Sequence, residues 1–374
     1  MNEEQYLRVV RALKLEVLDL LQNTNMMKPK EVNRTLVIID NSFKRLNADI
    51  EEIFPPAVLQ EYVAGLEEAN AILYEYNIGD GQVGYKFEGM TPVGKGQKNA
   101  LIATLRNQVH FEAIAEINEN TMMDLKSAIR TAHKNTELSI VNTLTDVQRE
   151  LQSGLIRGRE NKYIQSRVMD VFNREGFTSF IARDGRQLPL DFYSQVVTRT
   201  NLKLARTKGS VNRYKENDVR LFKVSGNSPT CSICAQFRGF VFSMDKGNPD
   251  FPYLDPNRIP FHPNCQCSVI PYVLKYKTSE ELDKDIEKAK RFKEGKDHRS
   301  NAEKRAYDNQ QKLNAIKNQE KKQYAKIKSV MKEDAPKTLG AYRRMRRAKD
   351  KKYQMFMKDY YKTINRLKRE GPWG

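Results

Sequence analysis

The sequence predicts an α+β fold that is predominantly helical, with a helical N-terminal half, a small α+β module in the middle and a basic helical tail. Apolar residues recur at three- and four-residue steps in the first and last thirds of the chain, as the buried face of a helix requires. Short β-prone runs occur in the middle third, and all four cysteines lie among them. At 374 residues the chain is long enough for two or three domains. We divide it into residues 1–157, 158–275 and 276–374.

The N-terminal region, residues 1–157, has the pattern of amphipathic helices. The first 20 residues predict one helix, and a second is expected after Pro29. The stretch 77–97 holds six glycines in 21 residues, which predicts a loop or an irregular hairpin. Residues 101–155 again carry a helical apolar pattern. Many polar residues lie between the apolar positions, which predicts helices that pack against one another or against a partner.

The sequence changes character in residues 158–275. Two β-prone runs flank Asp184-Gly185, a dipeptide that favours a tight hairpin. An amphipathic helix is expected to follow, with Asp191 as its N-cap and its end near Gly209. Three further runs predict short strands that frame the cysteines, namely 219–226, 239–244 and 268–273.

The cysteines form two close pairs around a single loop. Cys231 and Cys234 make a C-x2-C motif, and after 27 intervening residues His262 begins an H-x2-C-x-C motif with Cys265 and Cys267. In a reducing cytosol such pairs more often bind a metal or carry redox chemistry than form disulfides. Thiolate and imidazole ligands in a closed tetrahedral site favour a structural Zn²⁺ ion. The intervening loop is rich in proline and glycine, so a metal would supply folding free energy that the loop lacks.

Five candidate donors are thus available for a metal that takes four. The four cysteines are the preferred set, with His262 as a hydrogen-bonding neighbour or as a substitute for Cys265. If His262 does bind the metal, H-x2-C mirrors the first pair, so the choice stays open. Two simpler readings are four buried cysteines without a metal, or two disulfides. The clustering of all four cysteines between proline- and glycine-rich flanks favours the metal.

The net charge of +18 is concentrated at the C-terminus. Residues 271–374 carry 31 Lys and Arg against 15 Asp and Glu, a net charge of +16. Such asymmetry predicts a polyanionic partner, and we expect double-stranded DNA bound without sequence specificity. The residues predicted to contact DNA are Lys321, Lys322, Lys326, Lys328, Arg343, Arg344, Arg346, Arg347, Lys349, Lys351 and Lys352.

The tail itself is predicted to be helical. Residues 278–331 are charged and helix-prone with a thin apolar seam, and beyond Pro336 an apolar stripe that includes Phe356 and Tyr360 predicts one basic amphipathic helix. The same pattern also fits contact with an anionic membrane surface, or simply a solvated helix face. At the other end, "MNEEQYLRVV" has no apolar signal region, and no window approaches the ~18 to 20 apolar residues that cross a bilayer. We therefore expect a soluble protein.

No catalytic motif accompanies the cysteines. The sequence has no Walker loop, no G-x-S-x-G and no H-E-x-x-H. A C-x2-C pair near a histidine is also found in zinc-stapled HNH-type nucleases, which need a second His or an Asp beside the first. The other histidines, His110, His133 and His298, lie far from the cysteine pairs in sequence. A DNA-processing enzyme is the alternative, and we expect no enzymatic activity.

Three motifs follow one another in the middle of the chain. They are "GFTSFIARDGRQLPLDFYSQVVTRT" (176–200), "GNSPTCSICAQFRGFVFSM" (226–244) and "FHPNCQC" (261–267). Their order, spacing and flanking residues resemble phage minor capsid protein 2 and the wider Mu F-like head morphogenesis proteins over roughly residues 160–275. The resemblance implies a minor head protein of a tailed bacteriophage, bound to the portal protein inside the procapsid and packaged with the genome.

The resemblance also implies partners, a location and site residues. The expected partners are the portal protein, the major capsid or scaffolding protein and packaged double-stranded DNA. The expected location is the capsid interior, after assembly in the bacterial cytoplasm, with a role in head morphogenesis, genome packaging or ejection. The family's Cys and His positions fall on Cys231, Cys234, His262, Cys265 and Cys267. Family members end this motif in Cys or His, and some lack the first pair.

Overall fold

The computed structural model describes most of the chain. The described residues are 3–78, 107–152, 164, 167–168, 171, 178–181, 187–331 and 334–370. The predicted glycine-rich loop at 77–97 lies outside this part of the chain, except for its first two residues. The Asp184-Gly185 turn also lies outside it.

Long helices form the first hydrophobic core, which confirms the predominantly helical fold. Their apolar faces meet in one cluster, in which Phe43, Ile50 and Ile129 are almost completely buried. Helix packing of this kind buries one stripe of each helix and leaves the polar residues between exposed. The helices are α1 (Glu3–Asn23), α2 (Pro29–Glu75), α3 (Gln108–Gln152) and α4 (Leu190–Glu216).

Helix α4 differs from its prediction at both ends. Pro189 occupies the N-cap position, and Asp191 lies in the first turn, where its carboxylate accepts a 2.9 Å hydrogen bond from the backbone N–H of Phe192. The prediction that Asp191 is the N-cap was wrong because the preceding proline already has the extended backbone that begins a helix. The helix also continues past Gly209 to Glu216.

Gly209 continues the helix because it faces a neighbouring backbone. A Cβ atom at Gly209 would lie 2.2 Å from the carbonyl oxygen of Tyr62 in α2. In return, a Cβ atom at Gly65 would lie 2.0 Å from the carbonyl oxygen of Arg206 in α4. The Ser210 hydroxyl donates a 2.9 Å hydrogen bond to the carbonyl oxygen of Gly65 at the same crossing. Helices α2 and α4 therefore pack backbone to backbone, a contact that glycine permits.

A buried polar network beside this crossing joins α2 to the start of α3 and the end of α4. The ring nitrogens of the fully buried His110 lie 2.7 Å from the Tyr62 hydroxyl and 2.8 Å from the Glu216 carboxylate. Asn212 donates to the Tyr62 hydroxyl at 2.7 Å, and Arg213 pairs with Glu216 at 3.1 Å. Burial raises the pKa of Glu216, but the bonds from His110 and Arg213 outweigh it and lower that pKa overall.

A small antiparallel sheet forms the second core. The central strand β3 pairs with β4 on one side and β5 on the other, so that Phe222 lies opposite both Phe242 and Pro271. Leu73 of α2 and Tyr214 of α4 belong to this core, so these two long helices pass from the first core to the second. A separate hairpin, β1 with β2, precedes α4. The strands are β1 (Thr178–Ile181), β2 (Gln187–Pro189), β3 (Leu221–Ser225), β4 (Val241–Ser243) and β5 (Ser268–Pro271).

The C-terminal region is helical, as predicted, but more divided. Helix α5 begins at a capping box formed by Thr278 and Glu281. The later helices share a third, small core in which Ile327 and Tyr342 are completely buried and Tyr360 is nearly so. The helices are α5 (Ser279–Lys290), α6 (Asn301–Met331), α7 (Leu339–Ala348) and α8 (Lys351–Glu370). No helix in the described part of the chain is both long and apolar enough to span a membrane.

The predicted single helix beyond Pro336 is in fact two. Lys349 has a left-handed backbone with φ of 49°, which ends α7. The carboxylate of Asp350 then accepts a 2.8 Å hydrogen bond from the backbone N–H of Tyr353 and caps α8. The break lets both helices turn their apolar faces to the same core, which a single straight helix does not allow.

Candidate metal centre and basic surface

The first cysteine pair lies on a tight turn between β3 and β4. The backbone N–H of Ala235 donates to the carbonyl oxygen of Cys231 at 3.0 Å, and a short 3₁₀ turn begins at Cys234. The backbone N–H of Cys234 also points at the sulfur of Cys231, 3.4 Å away. A turn of this shape directs both thiols toward one point, as the C-x2-C spacing predicts.

The second turn, His262 to Cys267, leads into β5. The backbone N–H of Cys265 donates to the carbonyl oxygen of His262 at 3.0 Å, and that of Cys267 lies 3.4 Å from the sulfur of Cys265. Asn264, which lies between His262 and Cys265, adopts a left-handed backbone with φ of 65°. Asparagine tolerates this conformation better than most residues do. The second turn thus repeats the residue spacing of the first, with His262 in the place of the first cysteine, but its backbone hydrogen bonds differ.

The two turns bring all five predicted donors together. The Nε2 atom of His262 lies 3.1 Å from the sulfurs of both Cys231 and Cys234, and the sulfurs of Cys234 and Cys265 are 3.5 Å apart. The donors form two overlapping groups that share Cys234, one with Cys231 and His262 and the other with Cys265 and Cys267. All four cysteines are free, and three of them are buried. These groups could hold a metal ion.

His262 is oriented as a metal-binding histidine would be. Its Nδ1 atom lies 2.7 Å from the carbonyl oxygen of Pro263, so a proton on Nδ1 makes that hydrogen bond and leaves the Nε2 lone pair facing the sulfurs. The sequence favoured the four cysteines and left open whether His262 is a hydrogen-bonding neighbour or a ligand in place of Cys265. In the structure His262 directly contacts both sulfurs of the first pair.

Hydrogen bonds within the cluster favour the thiolate form of Cys265. Hydrogen bonds from the thiols of Cys234 and Cys267 hold the pKa of Cys265 far below its ordinary value, while the bond to Cys265 raises the pKa of Cys234. The thiolate is the form of cysteine that binds a metal. The buried sulfur atoms therefore lie in surroundings that already stabilise one negative charge.

Neighbouring residues that the sequence did not single out hold the cluster in place. Arg299, after α5, donates a 2.9 Å hydrogen bond to the carbonyl oxygen of Thr230 and pairs with Asp297 at 2.8 Å. The rings of Phe237 and Phe261 stack at 4.3 Å and pack beneath the two turns. No motif could have indicated Arg299, because it approaches the first turn from 69 residues away.

The predicted DNA-contacting residues differ in their surroundings. The carboxylate of Glu320, mostly buried, pairs with Arg343 at 2.9 Å and with Arg346 at 3.4 Å. The side chains of Lys322 and Lys326 lie outside the described residues. The exposed members of the predicted set are Lys321, Lys328, Arg344, Arg347, Lys349, Lys351 and Lys352.

Five of these exposed cations surround the break between α7 and α8. We call Arg344, Arg347, Lys349, Lys351 and Lys352 the basic corner. Asp350, the cap of α8, is the acidic residue within this stretch of sequence. A surface dominated by positive charge attracts polyanions.

Three of the described histidines lie away from the cysteine cluster. His110 belongs to the buried network with Tyr62, His133 packs 4.8 Å from the ring of Phe43, and His298 packs 4.8 Å from the ring of Phe240. In the described part of the chain His262 is therefore the histidine at the cysteine cluster.

Fold and site together define a helical protein that carries a compact Cys/His cluster able to hold a metal ion and a basic C-terminal surface. The family model for phage minor capsid protein 2 matches residues 150–360, more than half of the chain. The chain belongs to that family and is a minor protein of the phage virion. The match extends beyond the motifs at residues 160–275 and takes in α5, α6, α7 and half of α8. No curated protein and no solved structure gave a match.

Proposed function

We propose that this chain is a non-enzymatic minor head protein whose middle module is held together by a structural zinc ion. The observation that carries this proposal is the convergence of four cysteines and His262 from two turns that flank one small sheet. Thiolate and imidazole donors in a largely buried cluster suit Zn²⁺, which accepts tetrahedral coordination and has no redox chemistry of its own. A fully ligated ion has no open position for a substrate, so its contribution is to folding.

We propose four ligands for this ion: His262, Cys231, Cys234 and Cys265. His262 contacts both sulfurs of the first pair, and Cys265 contacts Cys234. Cys267 then serves as a neighbour that lends its backbone N–H to the sulfur of Cys265. The alternative in which Cys267 replaces Cys265 uses the same two turns and gives the same folding role.

The proposed partners follow from the two ends of the chain. The N-terminal helices expose large apolar side chains, among them Leu15 and Phe111, which are each 68% exposed. We assign this region to the portal protein, with the major capsid or scaffolding protein as a further partner. The basic corner suits the phosphates of packaged DNA, bound without sequence specificity in the capsid interior. Assembly would take place in the bacterial cytoplasm, before or during genome packaging.

Binding to the cognate portal protein tests the head-protein role. We expect a complex by size-exclusion chromatography that survives replacement of Arg344, Arg347, Lys351 and Lys352 by Gln. The four exposed residues lie at the far end of the chain from the proposed contact, so their charge should not matter for it. No complex with the unaltered protein would contradict the portal assignment. Loss of the complex in the four-Gln variant would move the portal contact to the tail.

DNA binding by the same four-Gln variant tests the basic corner. Each phosphate contact contributes about 0.9 to the slope of log affinity against log salt concentration, so the variant should bind a duplex more weakly and with a flatter slope. The measurement is fluorescence anisotropy with a labelled duplex of random sequence at several salt concentrations.

A matched control replaces Lys284, Lys290, Lys293 and Lys296 by Gln. These four lysines are also exposed and lie on α5 and the segment after it. The control removes the same charge from the chain and should keep most of the slope. Equal loss in both variants would show that overall charge, not the basic corner, determines DNA affinity.

A further inference from the structure

A cleft with cationic walls separates the start of α4 from the tail helices. It has a volume of about 640 Å³, and α4, the second turn, α6 and α7 contribute to its walls. Its charged lining residues are Arg199 on α4, Lys317 and Lys321 on α6 and Arg343 on α7. None of the described residues that line it is acidic. A concave surface with charges of one sign concentrates ligands of the opposite sign.

The charge of this cleft is only partly balanced by its surroundings. Glu320 accepts hydrogen bonds or ion pairs from two guanidinium groups, Arg343 and Arg346, so the three residues together keep a net positive charge. Lys317 and Lys321, which line the cleft from α6, are exposed to solvent. The cleft therefore presents a positive surface to any ligand that enters it.

The remaining lining residues are mainly amides and one aromatic ring. Asn264, Asn314 and Asn318 line the cleft, and the ring of Phe192 is 49% exposed at its edge. Amide side chains donate to phosphate oxygens and to base edges, and an exposed ring offers a surface on which a base can stack. An acidic peptide would use the cations but would have no need of the ring.

The volume of the cleft limits which polyanions it can bind. A cleft of 640 Å³ is in the range of sites for small ligands, far too small for a segment of double helix. It does have room for the backbone and bases of a short stretch of one strand. Single-strand sites elsewhere combine a positive groove with aromatic side chains in the same way.

We propose that this cleft binds a single strand of nucleic acid, with Lys317, Lys321 and Arg199 at the phosphates and Phe192 against a base. The inference deepens the proposed DNA contact, because it assigns an unpaired stretch of nucleic acid to a site apart from the basic corner. It also ties the cleft to the metal centre. Asn264 lies between His262 and Cys265, and its side-chain oxygen accepts a 2.7 Å hydrogen bond from Arg199.

Two substitutions test the cleft, each in full-length protein. Lys317→Gln removes one cation, and Asn264→Asp places a carboxylate in the cleft while keeping a residue that tolerates the left-handed backbone. Lys312→Gln is the control, because Lys312 is exposed on the same helix and does not line the cleft. Metal content and circular dichroism of each variant show whether the fold is kept.

The probes are a labelled oligothymidylate and a duplex of the same length. We expect each cleft variant to bind the single strand roughly tenfold more weakly and the duplex nearly as well as the unaltered protein. Lys312→Gln should bind both nearly normally. Removal of the metal with a chelator should also weaken binding of the single strand, because Asn264 then loses its fixed position.

The outcomes separate this inference from the proposed function. If the cleft variants bind the strand normally while the four-Gln variant does not, the cleft is not the site and the DNA contact at the basic corner stands. If the unaltered protein binds neither probe, both proposals fail. If polyglutamate displaces the strand and binds the cleft as tightly as the oligothymidylate does, the cleft is a site for acidic peptides and the inference is overturned.

Discussion

Replacement of Cys231 and Cys234 by Ser is expected to unfold the sheet module while the N-terminal helices stay folded. The module has three strands of only three to five residues, and its core includes three of the cysteines, so the proposed metal centre lies at the core that stabilises the sheet. Structural zinc sites in small peptides contribute ~10 to 16 kcal/mol of apparent binding free energy at neutral pH. The loss of even a quarter of this should raise local opening by ~60-fold or more.

Hydrogen exchange with mass spectrometry is the measurement for this prediction. Peptides from β3, β4 and β5 should lose protection in the double Ser variant and in chelator, whereas peptides from α2 and α3 should keep it. Elemental analysis should find about one zinc per chain before the change and none after it. Ser232→Ala is the matched control, because Ser232 is exposed on the same turn and offers no sulfur.

The opposite result has a clear meaning. Full protection in the double Ser variant, with no zinc in the unaltered protein, would show that the cysteines act as buried packing residues. A second comparison decides the ligand set. If His262 binds the metal and Cys267 does not, His262→Ala should lower zinc retention more than Cys267→Ser. The reverse order would restore the four cysteines as the ligands.

Gly209→Ala is expected to destabilise the whole protein by about 3 kcal/mol, at the upper end of overpacking substitutions. The new methyl group would lie 2.2 Å from the carbonyl oxygen of Tyr62, and a backbone atom cannot move aside as a flexible side chain can. Helices α2 and α4 would have to separate, which would also break the bond from Ser210 to Gly65. Both cores contain residues of these two helices, so both would lose stability.

Denaturant unfolding followed by circular dichroism measures this effect. Gly340→Ala is the control, since a Cβ atom there would meet its nearest neighbour, the Thr338 hydroxyl, at an ordinary 3.7 Å. Because alanine favours a helix more than glycine does, the control should be neutral or slightly stabilising. Equal midpoints for the two variants would show that the crossing of α2 and α4 can relax at little cost.

The sequence predicted the elements that depend on local pattern. The helix after Pro29 begins at that residue, and the strands predicted at 219–226, 239–244 and 268–273 are present with shorter bounds. The periodicity of apolar residues predicts these elements because the residues on the buried face of a helix or strand recur at a fixed spacing. The division into residues 1–157, 158–275 and 276–374 stays a prediction.

Ends and breaks of helices were predicted less well. Asp191 is a residue type that often caps a helix, but Pro189 occupies the N-cap position. Gly209 is a residue type that often ends a helix, but here the helix continues through it. The break at Lys349 has no glycine or proline to announce it. The start at Pro189 depends on the backbone conformation of that residue, whereas the outcomes at Gly209 and Lys349 depend on packing against other elements, which local composition does not contain.

By itself the sequence determined the helical character of the chain, the place of the charge and the five candidate donors of the proposed metal centre. Each of these is a property of residue type and spacing along one stretch of chain. Only the tertiary structure decided that His262 touches both sulfurs of the first pair, that Gly65 and Gly209 let two backbones meet, and that Arg199 and Lys317 line one cleft. These residues lie tens to more than a hundred positions apart, and packing of the helices, not any local pattern, brings them together.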